Sequence, residues 1–179
     1  MLYFITGNAG KFREIKAIIP DIEQLELDLD EIQSLDARTV IEHKLAQAAL
    51  HHDGDFIVED TSLELTCLKG LPGTYIKWFE KTLTLPGIAA LAMKYEDHSA
   101  TARTTIGYRD AKGKTHYFSG ELKGEIVPPR GDGGFGWDPI FIASGGDRTN
   151  AELTTQEKNR ISMRQAAARH LAAYLQEHS

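Results

Sequence analysis

Four short segments of this chain hold residues whose types and spacing could do chemistry. The first is Thr6-Gly7-Asn8-Ala9-Gly10-Lys11. An apolar run, Leu2 to Ile5, feeds a small-residue turn that opens a helical pattern. Backbone N–H groups at such a turn can point at a phosphate, the helix dipole favours an anion, and Lys11 adds a full positive charge. An ordinary β-to-α turn with a solvated lysine reads the same way, and the spacing is neither that of a P-loop nor that of a dinucleotide fingerprint. The second is Glu59-Asp60-Thr61, at the end of the buried run Phe56-Ile57-Val58. Two acids there could hold a magnesium ion or activate a water, or they could cap a turn. Because neighbouring strand residues point to opposite faces, one of the two faces any site.

The third segment is Phe135-Gly136-Trp137-Asp138-Pro139. Two aromatics around a glycine could form a flat slot for a base, with Asp138 reading its edge. Base stacking on aromatics is worth roughly 1–3 kcal/mol, although buried aromatics are commonly plain core. The fourth runs from Glu157 to Arg164, Glu-Lys-Asn-Arg-Ile-Ser-Met-Arg. A run of this kind is commonly the solvated face of a helix. On one straight helix Lys158 and Arg164 lie roughly 120° apart. They reach one ligand only if the helix breaks between them or their side chains wrap around it.

The elements that must position these segments alternate first and then cluster. Leu2 to Ile5 reads as a strand, Gly10 to Ile19 as a helix ended by Pro20, and Leu25, Leu27 and Leu29 as a half-exposed strand. Arg38 to His52 has helical spacing, and Phe56 to Val58 is a buried strand. Gly70-Leu71-Pro72-Gly73 is a turn, with helices expected over Tyr75 to Lys81 and Pro86 to Tyr95. Thr101 to Tyr108 and Thr115 to Leu122 pattern as a hairpin, and Pro128 to Gly136 as a loop. Thr154 and Glu157 have capping-box spacing and open a last helix reaching about Glu177. This is a mixed α/β fold.

The 179 residues suit one domain, whole or in two lobes. A single cysteine, Cys67, rules out an intramolecular disulfide and a cysteine-based zinc site, and fits a reducing cytosol. No apolar stretch approaches the roughly 20 residues of a membrane helix, and the first residues show no signal-peptide pattern. A net charge of −6 makes non-specific nucleic-acid binding poor. It leaves open a small anionic ligand held where cationic side chains gather.

Taken together, the segments resemble the inosine triphosphatase family, also called the Ham1 family. Its marks are TGNxxK, an acidic D/E-D-[ST]-x-L segment, a G-[GA]-x-PG turn, FG[WY]DP and EKNxxSHR. Thr6 to Lys11, Glu59 to Leu63, Lys69 to Gly73, Phe135 to Pro139 and Glu157 to Arg164 match them in order over nearly the whole chain. The resemblance implies an elongated mixed-sheet fold with two lobes around a central cleft, and a cytoplasmic homodimer. It implies hydrolysis of deaminated purine nucleoside triphosphates (ITP, dITP, XTP) to the monophosphate and pyrophosphate. Magnesium, or manganese, would be the cofactor and a small nucleotide the partner, with no nucleic acid and no membrane.

Carried over by position, Thr6, Gly7, Asn8, Ala9, Gly10 and Lys11 would wrap the triphosphate, with Lys44 as a further phosphate lysine. Glu31 and Asp60 would hold the metal, Asp60 or Glu59 would position the attacking water, and Thr61 would contact the substrate. Phe135 would stack on the base, with Gly136, Trp137 and Asp138 lining its pocket. Lys158, Met163 and Arg164 would approach the phosphates or the base, which implies a helix interrupted near Ile161 to Met163. One departure stands out: Met163 occupies the family's histidine position. A thioether cannot donate a hydrogen bond to a 6-oxo purine, so base discrimination should weaken or rest on other contacts. Two further readings are a pyrophosphatase for other modified nucleotides, as in the related Maf proteins, and a nucleotide-binding sensor without turnover.

Overall fold

The structure is a computed structural model that describes residues 1–178. The strands are β1 (Leu2–Ile5), β2 (Glu23–Leu25), β3 (Asp55–Leu65), β4 (Pro72–Gly73), β5 (Ser99–Arg109), β6 (Thr115–Ile126) and β7 (Phe141–Ala143). The helices are α1 (Ala9–Lys16), α2 (Ala37–Ala48), α3 (Ile76–Ala92), α4 (Thr155–Ile161) and α5 (Met163–Glu177). The sheet order is β2-β1-β3-β5-β6-β7, with β4 pairing β3. β1 runs parallel to β2 and β3, whereas β4 and β7 pair antiparallel to β3 and β6. The fold is the mixed α/β architecture expected from the sequence.

Several boundaries differ from the expectation, each for a physical reason. The strand over Leu25 to Leu29 is only Glu23–Leu25. Its partner β1 ends at Ile5, and the last link is Thr6 N–H to the Leu25 carbonyl at 3.1 Å. Leu27 and Leu29 still pack on the core, without a ladder. β3 does not stop at the acidic pair: Glu59 and Asp60 lie in the middle of an eleven-residue strand. Acids are depleted in strands, but buried Leu63 and Leu65 continue the alternation beyond them. α3 contains both helices expected on either side of Thr84, where the backbone turns to φ 61° and ψ 171°, two residues before Pro86. Proline lacks the N–H and crowds the preceding turn, which accounts for a break there.

The chain divides into two compact units, one of residues 1–61, 104–120 and 163 onward, the other of 62–103 and 121–162. In the first unit, α1 and α5 cover one sheet face over Phe4, Ile15, Ile57, Ile106, Ala167 and Leu171. Ile41, Leu45 and Ala48 of α2 cover the other over Ile5, Phe56 and Val58. The period-two alternation of Phe56, Ile57 and Val58 feeds both cores. Gly120 lets α5 start close to β6, since a Cβ there would collide with the Met163 carbonyl. In the second unit the buried apolar residues include Ile88, Ala89, Ile126, Ile140, Phe141 and Ile142.

Candidate active site

The first unit brings six of the expected charged residues, Lys11, Glu31, Lys44, Glu59, Asp60 and Arg164, together around β3. Glu59 and Asp60 project to opposite sides of the strand, as alternation requires. On the α1/α5 side, Glu59 Oε1 pairs with the Lys11 ammonium. Its Oε2 accepts from Arg164 Nε at 2.7 Å. On the α2 side, Lys44 Nζ lies 3.2 Å from Asp60 Oδ1 and 2.8 Å from Glu31 Oε1. The same ammonium donates to the Glu59 carbonyl at 3.2 Å.

These pairings divide the two carboxylates electrostatically. Burial pushes the Glu59 carboxyl up, but Arg164 and Lys11 outweigh it and hold the group down at about 2. Glu59 is therefore a fixed anion between two cations. For Asp60 the balance is reversed: burial raises the carboxyl from its ordinary value despite the opposing pull of Lys44 and Lys11. Asp60 Oδ2 is buried and has no hydrogen-bond partner. A buried oxygen of this kind calls for an explanation such as a water or an ion. Burial would lower the Lys44 ammonium, yet Asp60 and Glu31 raise it, so it stays charged.

Glu31 and Asp60 thus converge on one cation, with a carboxylate oxygen of Asp60 to spare. Magnesium takes oxygen ligands, usually one or two carboxylates together with substrate phosphates and water. The donor set fits that ion. Among the described residues no cluster of three or more His, Cys, Asp or Glu side chains is placed to hold a metal.

The Thr6 to Lys11 turn forms the start of α1. Thr6 Oγ1 accepts from the Asn8 N–H at 3.1 Å, and Asn8 Oδ1 accepts from the Lys11 N–H at 3.0 Å. First-turn amides have no acceptor within the helix, and Asn8 satisfies the one at Lys11. Gly7, Asn8 and Ala9 are exposed and Gly10 is buried.

Arg164 is turned into the core of its unit. It is 2% exposed, with NH1 2.9 Å from Glu14 Oε2 and NH2 3.0 Å from Thr61 Oγ1. Glu14 is the residue that the sequence reading missed here. The available signal was its place three residues after Lys11, on the same side of α1.

The second unit gathers the aromatic segment. Asp138 Oδ2 accepts from the Phe135 N–H at 2.8 Å and from Lys158 Nζ at 2.6 Å. The Lys158 ammonium stands 4.1 Å from the Phe135 ring centroid. Gly134 has φ 71°, and a Cβ there would run into the Asp138 carboxylate. Trp137 is only 7% exposed and packs edge-on against Phe141, ring centroids 5.5 Å apart. It serves the core, unlike half-buried Phe135 and exposed Gly136. Asn150, also missed from sequence, donates to Asp138 Oδ1 at 3.4 Å.

α4 opens with the expected capping box: Glu157 N–H donates to Thr154 Oγ1 at 3.3 Å and Thr154 N–H to Glu157 Oε2 at 2.8 Å. The helix breaks at Ser162, ψ 125°, where the interruption was expected. Met163 follows, 7% exposed, in the first turn of α5.

A model of the Ham1 family matches residues 2–174, and the chain belongs to that family. Among its relatives, the inosine triphosphate pyrophosphatase of Fusarium vanettenii is 46% identical over 178 residues, spanning 97% of this chain and 95% of the relative. The dITP/XTP pyrophosphatase of Thermococcus kodakarensis is 40% identical over 181 residues, 98% and 97% of the two chains. Among solved structures, the Ham1 protein of Staphylococcus aureus superposes with a TM-score of 0.86 at 27% identity over 99% of each chain.

Proposed function

We propose that this protein hydrolyses deaminated purine nucleoside triphosphates, with ITP, dITP and XTP as preferred substrates, to the monophosphate and pyrophosphate. The observation that carries the reading is Asp60, a buried carboxylate whose Oδ2 is unpartnered while Oδ1 rests on Lys44 beside Glu31. The names of the relatives at 40–46% identity support the substrate class.

In this reading Glu31 and Asp60 would hold magnesium, which would supply charge neutralisation at the phosphate oxygens. Lys44 and Lys11 add positive charge toward the triphosphate, and the backbone N–H groups at the start of α1 donate to a phosphate. Asp60 orients the water and takes its proton. The water oxygen bonds to the α-phosphorus as the bond to the bridging oxygen breaks, and pyrophosphate leaves with that electron pair. Phosphoryl transfer of this kind needs positioning and charge more than covalent help. Glu59, held by two cations, anchors Lys11 and Arg164 instead of acting as the base. Phe135, Asp138 and Lys158 serve the base: a ring to stack on, an acceptor and a donor.

We also propose that the chain acts as one functional domain in the cytosol and as a homodimer. Among the described residues no helix is long and apolar enough to cross a membrane; the homodimer reading draws on Leu71, Trp78 and Leu83, exposed apolar surface that a second copy would cover. Pyrophosphate release with magnesium across ITP, XTP, dITP, GTP, ATP, dUTP and dTTP tests the substrate. Preference for ITP and XTP is expected; release from none of them would overturn the reading. Sedimentation of the purified chain tests the dimer.

A further inference from the structure

Asn150 begins the short 3-10 turn Asn150–Glu152 in the second unit and is 3% exposed. Its Nδ2 donates to Asp138 Oδ1 at 3.4 Å. The other Asp138 oxygen, Oδ2, is held by the Phe135 N–H and by Lys158, the charged side chain that meets it. Asn150 Oδ1 is buried and accepts no hydrogen bond. Flipping the amide would set that oxygen against the Asp138 carboxylate, so charge fixes which end faces it. The turn is itself held in place: Thr149 N–H donates to Glu152 Oε2 at 2.7 Å and Thr149 Oγ1 to the Arg130 carbonyl at 2.8 Å.

A buried amide that leaves its acceptor unmet is costly to the fold, and one long hydrogen bond offsets little of that cost. An apolar residue would fill the same space but would leave the buried Asp138 Oδ1 without this donor. What the amide does accomplish is specific to Asp138. The terminal torsion of an aspartate is broad and roughly two-fold. Held at Oδ2 alone, the carboxylate can rock; a donor at Oδ1 as well restricts that rotation.

We propose that Asn150 is a positioning residue for base recognition: it fixes the rotation of the Asp138 carboxylate, and so which lone pairs a nucleobase N–H meets. The proposal rests on the reading that Asp138 contacts the base, and it adds a residue to which neither the family motifs nor the sequence pattern pointed.

The test compares wild type, Asn150→Ala and Asn150→Asp in magnesium-dependent pyrophosphate release from ITP between about pH 5.5 and 8.5, alongside thermal unfolding. For Asn150→Ala the KM for ITP should rise about tenfold, with kcat within about twofold, as for a lost hydrogen bond to a charged group. Its thermal midpoint should shift little, because the bond lost is a single long one. Asn150→Asp keeps the shape but replaces a donor with a second carboxylate. Its KM should rise further at high pH and fall back as the pH drops, because the protonated carboxyl donates again.

A merely structural role predicts the reverse: a lowered midpoint and no pH-dependent rescue. Unchanged KM in Asn150→Ala, or an Asn150→Asp profile parallel to wild type, would overturn the proposal. If Asn150→Asp does not fold, Asn150→Ala decides alone. Wild type active on ITP with variants that match it sinks this inference only. Wild type inactive on ITP sinks the substrate reading and this inference with it.

Discussion

Arg164 donates from Nε to Glu59 Oε2 at 2.7 Å, and both side chains are 2% exposed. The guanidinium is also bound to Glu14 and Thr61. Removing one partner of a buried ion pair leaves an uncompensated charge and costs about 3–5 kcal/mol. Arg164→Ala should lose about that much stability in urea unfolding. Arg164→Lys should recover only part of it, because an ammonium cannot reproduce the planar fork that meets Glu59, Glu14 and Thr61 together. A loss under about 1 kcal/mol for the alanine variant would contradict the structural role.

Asp60→Asn keeps the size of the side chain and removes the charge. The Asp60 carboxylate is assigned both to the metal and to the water, so kcat for pyrophosphate release should fall by about 10²–10⁴-fold or more. Near wild-type turnover would take Asp60 out of the reaction. Circular dichroism checks that the fold is intact, which is expected because one oxygen of the pair with Lys44 is retained.

Glu59 sets an acid limit. Its carboxyl sits at about 2 in the folded protein against an ordinary 4.5. With a depressed folded value, the unfolded chain takes up the proton first as the pH falls. The contribution of this group to stability is therefore whole above about 4.5 and is lost as the pH drops through the folded value. Unfolding free energy measured from neutral pH down to about 3 should fall more steeply for wild type than for Glu59→Gln. Equal slopes would mean that the ion pairs with Arg164 and Lys11 do not form in solution.

Phe135→Ala tests the aromatic platform. Loss of base stacking is worth about 1–3 kcal/mol, so kcat/KM for ITP should fall roughly 5- to 150-fold, mostly in KM. Trp137→Ala should instead lower thermal stability, since Trp137 packs on Phe141 inside its unit. Similar losses of stability in both variants would remove the distinction.

Met163→His restores a donor that the thioether lacks. The preference for ITP over GTP should rise in that variant; an unchanged ratio would mean that discrimination rests on other groups.

How legible these features were in the sequence depended on how local their causes are. The α4–α5 break was expected once the family resemblance sent both Lys158 and Arg164 toward one ligand, since their spacing alone left wrapped side chains open; Ser162 carries it. The capping box at Thr154 and Glu157 was legible because it is a contact across three residues. The length of β3 was not, because the cations that make Glu59 and Asp60 tolerable in a strand come from α1, α2 and α5. Asn150 was invisible because its partner lies 12 residues away, and for Glu14 the spacing from Lys11 offered a local hint while its partner Arg164 lies 150 residues away. The burial of Arg164 and Trp137 likewise follows from tertiary packing and not from their motifs.

The placement of Glu59 and Asp60 on opposite faces of β3 also acts as a proofreading device for the sheet. A slip of β3 by one residue exchanges the two faces. It would carry Glu59 toward the single lysine of α2, strand Arg164 and Lys11 opposite the wrong side chains, and swap Phe56 and Val58 with Ile57 between the two cores. Hydrophobic patterning alone penalises such a slip weakly here, because both faces of this strand are apolar. Charge alone would survive the exchange, since each face would still present one carboxylate; side-chain reach would not, because Asp60 is one methylene shorter than Glu59 and the contacts with Arg164 and Lys44 close only in the native alignment.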